Sequence, residues 1–530
     1  MNDTHALDRH WQRARAYLRS WQLPAARAQF ESLQRLAPAD VRTCLLGAVL
    51  AWHGDHVRES AARALDAATR VPDDAELLAA TVEALLQAGE SAAAHALLSH
   101  PAWQHASDVE ALTAYAGFLQ DFNQPAAALA TLDRLATLQP DNAALQLFRG
   151  QQLEYLGRLD EAEACYLDCL RRDPGCGRAA YWLARLPQAA LRHDLQPLFE
   201  AGLQAATRGT LMHAAFEFAR YHAHETHGQF GEAWDALVRG NAEMRAACAP
   251  AGGSQDVGMQ RFVASLALHP PEVSARAVDS PCPIFIVGLP RSGTTLLERM
   301  LSNHSQVATA GERVDFGNAL LWGADTRLLF GEAFLSRVPT LDWPQVGRRY
   351  LAQVGWQARG KPYFIDKRPT NWTIAGLIHC ALPQARIINV VRDAMDVSFG
   401  NWRTLFGDAY PWVYDFADLA RQHHDYTATM RQWHARFPGA VLDVAYADLV
   451  QDPAATLHRV FDFCGLPWEA GCEDPRRNAA PVTTLSSAQV RGPIDSHGIG
   501  RWRRYAMQLE PLQRLLQPDT ATDAVGKASA

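Results

Sequence analysis

Residues 283–303 read PIFIVGLPRSGTTLLERMLSN. The run IFIV (284–287) is short, apolar and rich in β-branched residues, which reads as a buried strand ending at Gly288. From Thr294 onward, Leu296, Leu297, Met300 and Leu301 recur at helical spacing, so a helix is predicted with that face inward. Gly288 to Gly293 is then a tight strand-to-helix turn. A turn of this kind presents backbone N–H groups and a helix amino terminus to an anion.

Further strand–helix units follow downstream. YFIDK (363–367) precedes a predicted helix over 371–382, RIINVV (386–391) one over 394–405, and AVLDVAY (440–446) one over 453–464. Repeated units of this type predict a parallel sheet with covering helices, a P-loop-like α/β domain over residues 281–516. A nucleotide-cleaving loop would read GxxxxGK[ST]. Here Thr294 holds the lysine position and Arg291 lies inside the loop. A loop lysine reaches the β- and γ-phosphates, so its replacement argues against triphosphate cleavage. An internal arginine with hydroxyls suits a single terminal phosphate at the helix start.

Upstream the chain is periodic. Pro38, Pro72, Pro140 and Pro174 fall on a 34-residue beat, with Ala106 on the beat that lacks its proline. Twelve residues before each beat stand Ala26, Ser60, Ala94, Ala128 and Ala162; twenty-four before stand Ala14, Ala48, Val82, Ala116 and Gly150. Two small positions per 34-residue unit predict two closely packed antiparallel helices, the second closed by the proline. FEFARYHAHETHGQFGEAWDALVRGNAEMR (216–245) reads as a further divergent unit. Residues 1–245 are therefore predicted to be a helical repeat domain with its own core. Residues 246–280 read as a linker with a short helix in QRFVASLALH (260–269), and 517–530 as a disordered tail. Stacked helical repeats form a superhelix whose concave face docks peptide or protein.

Composition narrows the function classes. The 530 residues carry a net charge of −7. Residues 1–280 hold 24 arginines against 33 acidic residues, and the remainder holds 26 basic against 24 acidic, so neither half is a nucleic-acid binder and any anion site must be local. No apolar run approaches the roughly 20 residues of a membrane span. The polar amino terminus has no signal core, which predicts a cytoplasmic protein. Nine cysteines with no CxxC pair predict reduced core thiols. No metal-binding spacing occurs, so no metal is expected.

PRSGTT after an apolar strand resembles the 5′-phosphosulfate loop of sulfotransferases that use 3′-phosphoadenylyl sulfate, in particular the tyrosylprotein sulfotransferase branch. The upstream repeat resembles the tetratricopeptide repeats fused to bacterial members. The resemblance implies donor contacts from Arg291, Ser292, Gly293, Thr294 and Thr295. It implies a general base at Glu312, twenty-one residues after Arg291, with His304 as the rival base. It also implies that Lys367 contacts the sulfate and the bridging oxygen, with Asp366 beside it as an orienting group. Arg392 resembles the arginine that grips the 3′-phosphate. The family's serine eight residues on is Gly400 here, with Ser398 two residues early and Arg403 nearby as replacement charge. Tyr446 in VAYADLV resembles a tyrosine near the donor nucleotide. Arg491, Gly500, Arg501 and Trp502 in QVRGPIDSHGIGRWRRY are further donor-site candidates. The implied activity is protein-tyrosine-type sulfuryl transfer, with the acceptor open among tyrosine, sugar, lipid and small phenol. Two other readings are a P-loop kinase of a small substrate, opposed by Thr294, and a non-catalytic repeat scaffold, opposed by the joint presence of Glu312 and Lys367.

Overall fold

The structure is a computed structural model and describes residues 2–187, 189–248, 280–487 and 489–517. The expected short helix over 260–269, nearly all of the linker and the tail beyond residue 517 lie outside the described residues. The described chain is an amino-terminal array of helices followed by a domain built on a five-stranded parallel sheet.

The array keeps the period read from the prolines. First helices begin at Val41, Ala75, Val109, Ala143 and Gly177, and second helices at Leu23, Val57, Ser91, Pro125 and Leu159, each step 34 residues. The small positions are where helices meet: Ala26, Ala94, Ala128, Ala162, Ala14 and Ala116 are fully buried, and Ser60 and Ala48 nearly so. At Gly150 a Cβ would come within 2.4 Å of the Tyr166 ring, so only glycine lets these two helices close. The divergent unit is a helical hairpin, Leu211–Thr226 and Phe230–Ala247.

Between the two helices of each unit the chain turns through a left-handed residue: Trp21, Asp55, Gly89, Asn123 and Gly157, again 34 apart. Four of these five tips rest on the sheet domain. Asp55 accepts hydrogen bonds from the Thr326 hydroxyl (2.9 Å) and the Arg327 N–H (2.7 Å). Gly89 packs so closely on Asn318 that a Cβ would lie 2.9 Å from it. Asn123 accepts from Thr483 (3.0 Å), and Gly157 lies under the Arg491 guanidinium. Trp21, at the fifth tip, is 72% exposed and packs edge-on against His53.

The sheet strands are β1 (Cys282–Gly288), β2 (Val307–Thr309), β3 (Tyr363–Asp366), β4 (Arg386–Val391) and β5 (Val441–Ala445), in the order β2-β3-β1-β4-β5. Alternation along β1 sends Ile284 and Ile286 to one layer, with Leu297, Met300 and Leu301 of the following helix. Phe285 and Val287 face the other, with Phe316, Tyr350 and Trp433. Leu296, expected inward, packs partly buried on the same layer as Leu297 and also edges the cavity described below. The strand β2 and the 21-residue helix Phe416–Arg436 were not read from the sequence.

Each half has apolar clusters of its own, as expected, but the two also share one. One apolar cluster contains Tyr181, Phe218 and Leu237 from the array together with Phe399, Trp402, Tyr414, Tyr505, Leu509 and Leu512 from the sheet domain. Trp234 of the array packs against Trp402 and Tyr505 at 4.8 and 5.5 Å between ring centroids. Among the described residues no helix is long and apolar enough to cross a membrane.

Candidate active site

Each of the five parallel strands ends at the same edge, where such sheets gather ligand-binding groups. Just past these ends stand Arg291 (β1), Glu312 (β2), Lys367 (β3), Arg392 (β4) and Tyr446 (β5). The strand order reverses about β1, so its loop sits at the switch point. A cavity of about 810 Å³ opens there, lined by Arg291, Gly293, Thr294, Thr295, Glu312, Arg392, Arg403, Tyr446 and Arg501.

The loop is shaped for close approach. Gly293 caps the helix Thr294–Leu301 at φ 110°, and a Cβ there would lie 2.4 Å from the Tyr446 ring, so glycine is required twice over. Arg291 takes the left-handed conformation at φ 66° and donates to Ser486 Oγ and Gln489 Oε1, both at 2.6 Å. Burial, with Arg403, Arg185 and Arg392 nearby, pushes its guanidinium down to about 9. It still carries its charge at neutral pH. The Ser292 hydroxyl is buried with no partner.

Arg392 donates to the Arg291 carbonyl (2.9 Å) and to the Gly498 carbonyl, and its guanidinium lies 4.2 Å from the Tyr446 ring centroid. Its hydrogen bonds thus go to backbone rather than to Asp393 or Asp396, and its Nε is buried without a partner. Asp396 accepts instead from the Gly500 N–H (2.9 Å). Gly400 faces Arg291, its missing Cβ 3.3 Å from the Arg291 Cβ, whereas Ser398 is buried and does not line the cavity. The array holds two of the arginines: Glu225 accepts from Arg501 and lies 3.9 Å from Arg403. Arg491 and Trp502 stand off the cavity. Arg491 donates to the Tyr155 carbonyl (2.6 Å), and Trp502 packs on the shared apolar cluster.

Lys367 is buried, with its side chain 1% exposed, and is paired with Glu312, which is 42% exposed at the cavity wall. Burial disfavours the ammonium, but Glu312 and Glu298 more than offset it, so its pKa stands above the ordinary lysine value. Asp366 bonds to the Tyr350 hydroxyl (2.9 Å), and burial pushes its carboxyl up to about 7. That partner lies in the apolar layer under the sheet. His304 is buried, bonded to the Pro467 carbonyl (2.9 Å), and does not line the cavity. Of the two candidate bases, only Glu312 faces it.

Several groups here were not foreseen. Tyr155, Arg178, Tyr181 and Trp182 of the array and the loop 405–410 complete the cavity wall. Glu225 and Glu298 were also missed. Glu298 falls one turn after Thr294, a helical spacing that could have found it.

Among known proteins, an uncharacterized protein of Aquifex aeolicus is 28% identical over 325 residues, covering 57% of this chain and 41% of its own length. The nodulation protein NoeE of Sinorhizobium fredii is 30% identical over 127 residues, covering 22% of this chain and 30% of its own. The chain thus spans less than half the length of either relative. The sulfotransferase domain of an olefin synthase from Synechococcus PCC 7002 superposes with a TM-score of 0.30 at 24% identity, covering 42% of this chain and 88% of that one. Residues 283–470, which hold the loop, Glu312, Lys367 and Arg392, match the model of the sulfotransferase family.

Proposed function

We propose that the sheet domain transfers a sulfuryl group from 3′-phosphoadenylyl sulfate to an acceptor hydroxyl, a protein or peptide tyrosine being the acceptor that the tyrosylprotein resemblance implies. The observation that carries this reading is the convergence of Arg291, Glu312, Arg392 and Tyr446 from four strand ends onto one cavity at a helix amino terminus, with Lys367 of the fifth strand buried behind Glu312. The residues fit such a donor. The unpartnered Ser292 hydroxyl and Arg392 Nε are buried donors in want of an acceptor, and Thr294 and Thr295 add hydroxyls at the helix start. Arg291 and the loop N–H groups would hold the phosphosulfate, and Arg392 with Arg403 the 3′-phosphate. Glu312 takes the acceptor proton as the new O–S bond forms. Lys367 neutralises charge building on the bridging oxygen as the S–O bond breaks. The array, read as tetratricopeptide-like, presents the protein or peptide.

Adenosine 3′,5′-bisphosphate should bind without metal, and Mg-ATP far more weakly. Calorimetry showing equal or tighter Mg-ATP binding would overturn the donor assignment. Arg392→Ala should cost about 1.5–3 kcal/mol of bisphosphate binding, the size of a lost charge-assisted contact. Transfer of labelled sulfate from the donor into proteins of a host extract tests the reaction itself.

A further inference from the structure

Lys367 sits between two carboxylates, of which the proposed reaction uses one. The second is Glu298, on the helix that follows the loop, with its side chain 12% exposed. Its Oε1 accepts from the Thr309 hydroxyl (2.6 Å) and its Oε2 lies 3.7 Å from Lys367 Nζ. Glu298 and Glu312 also line a small cavity of about 30 Å³ together with Thr295, Thr309 and Thr483, room for a water molecule.

The other charged groups nearby are accounted for. Arg299 lines the same small cavity but gives its guanidinium to the carbonyls of Pro475, Asn478 and Ala480. The Tyr410 phenol, on the loop 405–410, is within electrostatic reach of Lys367, Glu312 and Arg368. Burial pushes the Glu298 carboxyl up, opposed by the Lys367 ammonium and the Thr309 hydroxyl.

We propose that Glu298 is a positioning residue for the transfer: it keeps the Lys367 ammonium paired while Glu312 turns to the acceptor and takes its proton. The inference rests on Glu312 being the base. At rest the trio carries one cation and two anions, and Glu312 is tied to Lys367. As the acceptor proton passes to Glu312, a neutral Lys367–Glu298 pair remains, and the buried ammonium is never alone. Remove the Glu298 charge and Glu312 becomes the sole counter-ion of a buried lysine. Protonating it would then leave an unpaired buried cation, which is costly. Glu298 therefore frees Glu312 to act, by repulsion and by substitution.

The test measures donor turnover to phenol, an acceptor that keeps its proton across the range, as a function of pH, alongside bisphosphate affinity. In Glu298→Gln the acid limb of kcat/KM should move to lower pH and the plateau should fall on the order of tenfold, as a weaker base gives a slower transfer. Bisphosphate affinity should stay within about threefold of wild type, since Glu298 meets Lys367 and Thr309 and does not line the large cavity. A purely structural role would lower the melting temperature without moving the limb. The Glu312 carboxyl, followed by carbon-13 NMR in the bisphosphate complex and assigned with Glu312→Gln, should titrate at lower pH in Glu298→Gln even if phenol is not accepted. An unmoved limb or an unmoved Glu312 midpoint overturns the proposal. Should Glu298→Gln not fold, Glu298→Asp decides: it draws the charge back by one methylene, and a wild-type limb and plateau there refute it. Full turnover in Glu312→Gln would instead sink the base assignment itself.

Discussion

A chain beginning at residue 280 should not fold into a stable domain. Phe399, Trp402, Tyr414, Tyr505, Leu509 and Leu512 are buried in part against array residues. Fully burying such side chains contributes about 1.5–3 kcal/mol each. Losing half of their cover would cost on the order of 5–9 kcal/mol, comparable with the roughly 5–15 kcal/mol by which domains are stable at all. Arg501 and Arg403 would also lose Glu225, leaving cavity arginines without their carboxylate. The truncated chain should be insoluble, or melt without cooperativity and fail to bind bisphosphate. A cooperative melt within about 5 °C of the full chain, together with intact bisphosphate binding, would show that the shared cluster is dispensable.

The second large effect concerns the base. Glu312→Gln keeps the shape and removes the basicity, so turnover should fall roughly 10²–10⁴-fold with bisphosphate affinity little changed. Lys367→Ala should depress turnover as well, since the ammonium meets charge on the transferred group. The double variant should lose less than the product of the single losses, because the two side chains are paired and serve one transition state. His304→Ala should leave turnover near wild type. Turnover within threefold in Glu312→Gln, with loss in His304→Ala, would reverse the assignment despite the burial of His304.

Local chemistry was legible in the sequence and distant packing was not. The loop, four of the five strands and the 34-residue beat follow from apolar runs, glycines and small residues within one unit. The strand β2 spans three residues, too few for any periodicity to show. Glu225 meets Arg501 across 276 positions, and nothing in FEFARYHAHE marks that glutamate as a partner. Arg491 and Trp502 sit in a segment whose resemblance points to the donor site, yet Arg491 bonds to the array and Trp502 packs on the shared cluster. The shared cluster was hidden for the same reason: an apolar face looks alike in sequence whether it closes its own domain or a neighbour's.

The left-handed tips make the array a ruler. Its divisions are 34 residues, and Asp55, Gly89, Asn123 and Gly157 meet fixed marks at Thr326, Asn318, Thr483 and Arg491. Excising one internal division, such as residues 75–108, would leave well-formed hairpins but set every tip before the cut against the wrong mark. The number of internal divisions is therefore fixed by the surface they measure. Only ahead of residue 41, where the Trp21 tip projects into solvent, can the ruler lengthen by duplication without losing its place.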